Sequence, residues 1–189
     1  MSRLQTVPWL IALALSFVGC RMPYIPNPYV RIPLISTPPP SAAAHLKDGS
    51  GRIVGTAVFL QQGSEVRLLL DVSGLPPGDK AVHIHEVGQC DPSSFDSAQG
   101  HFNPTGTQHG TANPRGPHAG DLPNITVDPD GRGHLEVSTK RVTLEKGPTS
   151  LFDADGSALV LHANADDMRT DPAGNSGARL ACGVIVPGS

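Results

Sequence analysis

Aromatic residues are scarce in this sequence, and basic residues never form a run. Phe, Tyr and Trp together make up 4% of the 189 residues, and the only tryptophan is Trp9, near the N-terminus. Lys and Arg number 14 against 17 Asp and Glu, which gives a formal net charge of −3. Because proteins that bind polyanions carry basic patches, this balance argues against nucleic acid as a partner.

Helical periodicity is also missing. No segment keeps apolar residues at helical spacing over three turns, and from about Ala42 onward short runs of period two are separated by clusters of Gly, Pro and Asp. Two of these runs, 54–60 and 66–72, flank a predicted hairpin at Gln62-Gly63-Ser64. Further strands are predicted at 82–87, 125–128, 133–138, 141–145, 158–163 and 179–186. The pattern predicts an all-β fold of antiparallel strands.

The N-terminal segment 1–19 has the character of a secretory signal. Arg3 provides a basic start, an apolar stretch follows it, and the segment is too short to span a bilayer as a mature helix. The sequence F-V-G-C, which ends at Cys20, resembles a bacterial lipobox, so we expect cleavage before Cys20 and acylation of that cysteine. The alternative is an ordinary cleaved signal with an incidental cysteine. The proline-rich segment 20–41 is predicted to form an extended tether.

Histidine, by contrast, is clustered. Six of the 8 histidines fall within one part of the chain: His83, His85, His101, His109, His118 and His162. The first two occupy alternate positions of an apolar run, so in a strand their imidazoles face the same way. The next three lie in a long polar segment, 89–122, and loops of that length are usually functional or disordered. A second polar segment, 164–178, follows the last of them.

The residue types in this cluster are those of a metal site. Imidazole suits copper and zinc, and a carboxylate such as Asp121, three residues after His118, is an acceptable zinc ligand. Together these residues supply more candidate ligands than one ion needs. The remaining two histidines, His45 and His134, are expected to lie away from the metal.

Six motifs along the chain resemble, in order, those of one known family. They are H-I-H-E-V-G-Q-C (83–90), G-H-F-N-P (100–104), H-G (109–110), P-H-A-G-D-L-P (117–123), L-H-A-N-A-D-D (161–167) and G-N-S-G-A-R-L-A-C-G-V-I (174–185). The family is that of the copper-zinc superoxide dismutases, in its bacterial, lipoprotein-type form. The resemblance covers nearly all of 42–186 and implies a Greek-key β-barrel or sandwich of about eight antiparallel strands with two long functional loops, in a domain spanning 42–189.

The resemblance also implies a role for each residue of the cluster. One copper ion per subunit would be held by His83, His85, His101 and His162, and one zinc ion by His101, His109, His118 and Asp121. Asp166 matches a carboxylate that links a copper ligand to a zinc ligand from outside. Cys90 and Cys182 match a disulfide that anchors the long loop to the last strand. Arg179 matches an arginine that attracts the anionic substrate.

The implied reaction is the disproportionation of superoxide to O2 and H2O2, by copper that alternates between Cu(II) and Cu(I) next to a structural zinc. His101 would bridge the two ions and deliver a proton to the nascent peroxide. Two other functions stay open at this point. One is a dismutase-like protein that binds or handles copper with little turnover, and the other is a zinc-only hydrolase that uses three histidines and a water.

The signal and the resemblance together predict where the protein works. We expect an exported enzyme that protects the cell envelope from extracytoplasmic superoxide and that is lipid-anchored on the periplasmic side of a membrane. Arg21 stands where an aspartate is associated with inner-membrane retention, so the outer membrane is favoured. The expected assembly is a monomer or a homodimer.

Overall fold

The computed structural model describes residues 39–188. The predicted signal 1–19, Cys20 and almost all of the predicted tether 20–41 lie outside the described residues. The strands are β1 (Ser41–Asp48), β2 (Ile53–Gln62), β3 (Glu65–Val72), β4 (Gly78–Lys80), β5 (Val82–His85), β6 (Ile125–Val127), β7 (Gly133–Thr139), β8 (Ala158–His162), β9 (Arg179–Val184) and β10 (Val186–Pro187). Across 39–188 the only helix is a short 3-10 turn, Asp96–Ala98. No helix in this part of the chain is long and apolar enough to cross a membrane.

All strand pairs are antiparallel, and they form one curled sheet. The order across the sheet is β4-β6-β7-β3-β2-β1-β9-β8-β5, with β10 on β1. Strands β4 and β5 end this order on opposite sides, yet only Ala81 separates them along the chain. The sheet must therefore curl until its two edges nearly meet, which confirms the predicted all-β barrel-like fold.

The inside of the curled sheet is filled by the alternate residues of its long strands. In β3, Val66, Leu68 and Leu70 are buried while the residues between them are partly exposed. The same period of two was visible in the sequence for β2 and β3. Strand β1 has the same pattern, but its inward positions include Ala42 and Ala44. These small residues gave too weak a hydrophobic signal to predict the strand.

The predicted strand at 141–145 is wrong. Val142 and Leu144 are indeed buried, which produced the alternation. The segment nevertheless makes only one isolated bridge, between Thr143 and Ser150. Its backbone is instead held by the buried side chain of Gln61, whose Oε1 accepts the N–H of Leu144 at 2.8 Å. The main chain of Thr143 bonds to Thr149 and Leu151 in the turn that follows, so the segment joins no neighbouring strand.

A disulfide ties the first long loop to β9. Cys90 and Cys182 are bonded, as the resemblance implied, and 92 positions separate them in the chain. Beside the bond, Phe95 and Ala98 of the loop pack with Val160 of β8 in a second small hydrophobic cluster. This packing covers the outer face of β8 and places the loop over the end of the sheet that carries the histidines.

Candidate metal centre

Strand β5 carries the first two histidines, and the long polar segment runs back along its free edge. Isolated antiparallel bridges pair His83 with Asp121 and His85 with His101. Between the bridges, a side chain at Gly120 would collide with a main-chain carbonyl of β5. Glycine at this position therefore allows the close approach that carries His101 and Asp121 to the strand.

Four buried histidines converge at this place. The four-histidine set consists of His83, His85, His101 and His162, each of which has a nitrogen within 4.8 Å of the others'. His162 arrives from β8, the strand that pairs with β5. Its Nδ1 lies 3.3 Å from Gly177 O, and its Nε2 lies 3.4 Å from His85 Nε2. His85 Nδ1 likewise donates to the main chain, at Gln99 O. In both rings Nδ1 is therefore hydrogen-bonded to a carbonyl of a loop.

Two nitrogens of the four-histidine set have no partner. His83 Nδ1 and His101 Nε2 are buried and make no hydrogen bond among the described residues. Buried polar atoms are almost always satisfied, so each such exception requires a physical reason. A metal ion bound among these nitrogens supplies one, and neutral imidazole is the ligand that copper and zinc accept. The residues present therefore fit a metal at this position.

A second set of donors surrounds one carboxylate. The carboxylate set consists of His101, His109, His118 and Asp121, with the three Nδ1 atoms 2.9, 3.0 and 3.4 Å from Asp121 Oδ1. The donors here that all lie within 4.8 Å of one another are those of His83, His101, His109 and Asp121, so His118 is the most distant member of the predicted zinc ligands. The other oxygen, Oδ2, accepts the N–H groups of Gly110 and His118 at 2.8 and 2.9 Å. These two bonds fix the carboxylate so that Oδ1 faces the imidazoles. Three nitrogens and one oxygen are a donor set that suits zinc.

His101 belongs to both sets. Its Nδ1 faces Asp121, and its unpartnered Nε2 faces the four-histidine set. The ring lies 3.9 Å from the His83 ring and 5.1 Å from the His109 ring, measured between centroids. One imidazole thus stands between two groups of donors.

Asp166 connects the two sets from outside. Its Oδ2 accepts from His83 Nε2 at 2.8 Å, and its Oδ1 accepts from His109 Nε2 at 2.9 Å and from the N–H of Met168 at 2.6 Å. The main chain of Asp166 is held in turn by two hydrogen bonds with the Asn124 side chain. With its Nε2 protonated, the His83 ring presents Nδ1 as a lone pair, whereas His109 Nδ1 faces Asp121 Oδ1 at 3.0 Å. Such outer hydrogen bonds orient metal ligands and raise their basicity.

The electrostatics of the site keep most of the imidazoles neutral. Burial, followed by the charge of the neighbouring His101, lowers the pKa of His85 to about 2. Burial likewise lowers the pKa of His162 to about 3 and that of His101 to about 4. For His109, burial also lowers the pKa, but hydrogen bonds to Asp121 and Asp166 outweigh it and raise the pKa to about 9. Burial favours the protonated carboxyl of Asp121, yet bonds from the histidines hold its pKa far below the usual range.

Arg179 stands at the opening of the site. Its guanidinium donates to Phe95 O at 2.5 Å and to Gln99 O at 2.6 Å. Gln99 O also accepts from His85 Nδ1 at 2.8 Å, so one main-chain atom positions both an imidazole and the arginine. A cleft of about 390 Å³ opens beside them, and its charged lining residues are Arg179 and Asp171.

The two histidines that were expected to lie away from the metal are far from both donor sets. His45 and His134 are on the outer surface of the sheet, where they contact Thr56 at 3.5 Å and Asp71 at 2.7 Å. Neither belongs to the two donor sets.

The sequence did not reveal two supporting residues. Asp171 Oδ1 accepts the N–H of His109 at 2.7 Å and lies 3.8 Å from His118 Nε2. Gly174 has a positive φ of 63° and packs so closely on Asp166 that a Cβ would overlap its carboxylate. Gly174 stands within the quoted motif 174–185, but its contact with Asp166 required the folded loop.

Comparisons with known proteins agree with this geometry. Residues 53–185 match the family profile described as copper/zinc superoxide dismutase (SODC). The Cu-Zn superoxide dismutase 2 of Aquifex aeolicus is 50% identical over 146 residues, which cover 76% of this chain and 85% of the relative. The Cu-Zn superoxide dismutase of Deinococcus radiodurans is 39% identical and covers 98% of both chains. The crystal structure of a SOD-like protein from Bacillus subtilis matches with a TM-score of 0.73 at 37% identity, over 76% of this chain and 97% of that one.

Proposed function

Because the chain belongs to the copper/zinc superoxide dismutase family, we propose that its buried histidine centre converts superoxide to O2 and H2O2. The observation that carries the proposal is the position of His101, with one ring nitrogen in each donor set. The overall reaction consumes two superoxide anions and two protons. The site must therefore admit a small anion, exchange one electron at a time and deliver protons.

Copper and zinc are the cofactors of this family. The four-histidine set would hold copper and the carboxylate set would hold zinc. When bound, copper provides the electron exchange, because it has two accessible oxidation states, whereas zinc has one and provides a fixed positive charge. The unpartnered nitrogens of His83 and His101 support the first assignment. The three Nδ1 atoms around Asp121 Oδ1 support the second.

The protein's own groups perform the remaining tasks. Arg179 binds and orients the anion at the opening of the cleft, since a guanidinium stays charged at every working pH and offers several donors to a small anion. His101 Nε2 would hold the proton for the reduced product whenever it is not bound to copper, because it is the only nitrogen of that ring without a hydrogen-bond partner among residues 39–188. Asp166 accepts from Nε2 of His83 and of His109, so Nδ1 is the nitrogen that each of these rings would offer to a metal.

The test measures metal content and turnover on the same protein. The purified chain is reconstituted with copper and zinc, and the amount of each metal bound per chain is measured. Superoxide removal is followed on the same protein, with and without cyanide. We expect one copper, one zinc and fast turnover, and we expect H101Q to lose turnover. His134→Gln is the matched control, because that histidine lies outside both donor sets. Full metal content without turnover would contradict the proposal and favour a copper-handling protein, whereas one zinc without copper would favour a hydrolase.

We also propose that the protein is exported and lipid-anchored through Cys20, on the periplasmic side of the outer membrane. The lipobox-like sequence before Cys20 and the proline-rich segment after it support this location. There the enzyme would protect the cell envelope. Labelling cells with an alkyne fatty acid should mark the wild type and leave C20A unlabelled. Labelling that persists in C20A would contradict the anchor.

A further inference from the structure

One partly buried cation next to the carboxylate set has no part in the proposed reaction. Arg141 follows the end of β7, and its Nη2 donates to the main-chain carbonyl of Asp121 at 2.5 Å. Its own N–H is held by Thr139 Oγ1 at 3.2 Å. The side chain is only partly exposed, and its Nε is buried without a hydrogen-bond partner among the described residues.

This arrangement is unfavourable for a residue whose role is only to stabilise the fold. Burial of a guanidinium disfavours its charge, and Arg141 makes no salt bridge to a carboxylate in residues 39–188. The favourable charge interaction it does have is with Asp121. A partly buried positive charge therefore lies next to Asp121, whose carboxylate faces three imidazoles.

The contact completes the fixation of Asp121. Its Oδ2 is held by the N–H groups of Gly110 and His118, and its main chain lies beside β5 through the bridge to His83. Arg141 holds the carbonyl of the same residue from the end of β7. The contact thus links the loop that supplies Asp121 to the sheet, at a point where no other side chain hydrogen-bonds to the Asp121 carbonyl among the described residues.

We propose that Arg141 is a positioning residue for the carboxylate set. Its guanidinium fixes the main chain of Asp121 so that Oδ1 faces His101, His109 and His118, and its charge offsets the buried carboxylate. The proposal rests on the assignment of this set to zinc under the proposed function. It concerns metal affinity and geometry, so it can be tested without measuring superoxide turnover.

The test uses the metal-free protein and three variants. R141M removes the charge and the donors, R141K keeps the charge but not the planar fork, and R67M is the control, because Arg67 is a surface arginine that pairs with Glu136 across the sheet. Zinc affinity is measured by competition with a chromophoric chelator, and the geometry is read from the visible spectrum of Co²⁺ in the same site. Circular dichroism determines the folded fraction of each variant.

We expect R141M to bind zinc about tenfold more weakly, the lower range for loss of an outer contact to a metal ligand, with an altered Co²⁺ spectrum. R141K should recover part of the affinity, and R67M should match the wild type. If R141M is poorly folded, the zinc affinity and Co²⁺ spectrum of R141K are compared with those of R67M to test the proposal. Wild-type zinc affinity and Co²⁺ spectrum in the folded fraction of the Arg141 variants would overturn the proposal and leave the proposed function intact. A wild-type protein that binds no zinc would overturn both.

Discussion

Replacement of Asp166 by asparagine is the most direct probe of how the two donor sets are coupled. The carboxylate accepts three hydrogen bonds, two at Oδ1 from His109 and Met168 and one at Oδ2 from His83. An amide of the same shape has one oxygen and one NH2 group. The better orientation keeps the oxygen at the Oδ1 position, because two donors meet there. The NH2 group then faces His83 Nε2–H, donor against donor.

The His83 ring can relieve this conflict only by moving its proton. If Nε2 becomes the acceptor, Nδ1 carries the proton, and Nδ1 is the nitrogen left unpartnered for a metal. Loss of a hydrogen bond to a charged group costs about 1.5–3 kcal/mol. Loss of an outer partner typically weakens metal affinity by about 10- to 100-fold, which is about 1.4–2.8 kcal/mol. Since the two ranges agree, we expect D166N to lose copper affinity by about one to two orders of magnitude.

The assay is a competition titration of copper and zinc against chelators of known affinity. Asp167→Asn is the matched control, because the neighbouring carboxylate is exposed and bonds to Thr170 and Asn175 rather than to a histidine. We expect zinc affinity to fall less than copper affinity in D166N, because His109 keeps an accepting oxygen. Copper affinity within twofold of the wild type would refute the tautomer argument.

Three further perturbations address the rest of the site. R179A should lower kcat/KM by about tenfold and flatten its dependence on ionic strength, since steering by charge changes association rates by about 10–10³. Its copper content should equal that of the wild type. An unaltered kcat/KM would exclude the role assigned to Arg179. Reduction of the Cys90–Cys182 bond should lower the free energy of unfolding by about 2–5 kcal/mol in urea titrations, whereas a change below 1 kcal/mol would show that the loop is held without it. G174A should displace the Asp166 carboxylate and weaken metal binding as D166N does, and G147A, with open space around its Cβ, should not.

The sequence indicated which elements carry the centre where its histidines alternate or are clustered. The alternation of His83 and His85 on an apolar strand survives in β5, and both residues are buried there. The resemblance placed His101 and Asp121 in the same site, and the structure brings them together through bridges along the β5 edge. The strand alternation is local geometry, which the sequence encodes directly, whereas the placement of His101 and Asp121 came from the resemblance.

Prediction failed where a tertiary contact decides the outcome. The segment 141–145 alternates like a strand, but its main chain bonds to the turn at 149–151 and to the side chain of Gln61 rather than to a neighbouring strand. Strand β1 was missed because alanines face its core. Arg141 was read only as the start of a strand, and its contact with the Asp121 carbonyl joins positions 20 residues apart. No pattern along the chain reports such a contact.

The shared acceptor at Gln99 has an evolutionary consequence. Gln99 has a φ of 60° and a ψ of −145°, a backbone conformation that L-residues rarely adopt. Because the oxygen that holds His85 and Arg179 belongs to the peptide backbone, no codon change at this position can delete it. Mutation can displace the Gln99 carbonyl only by changing the conformation of the loop, which would disturb both His85 and Arg179. The distance between the His85 imidazole and the Arg179 guanidinium therefore depends on the conformation of one peptide group, together with the second acceptor of Arg179, Phe95 O.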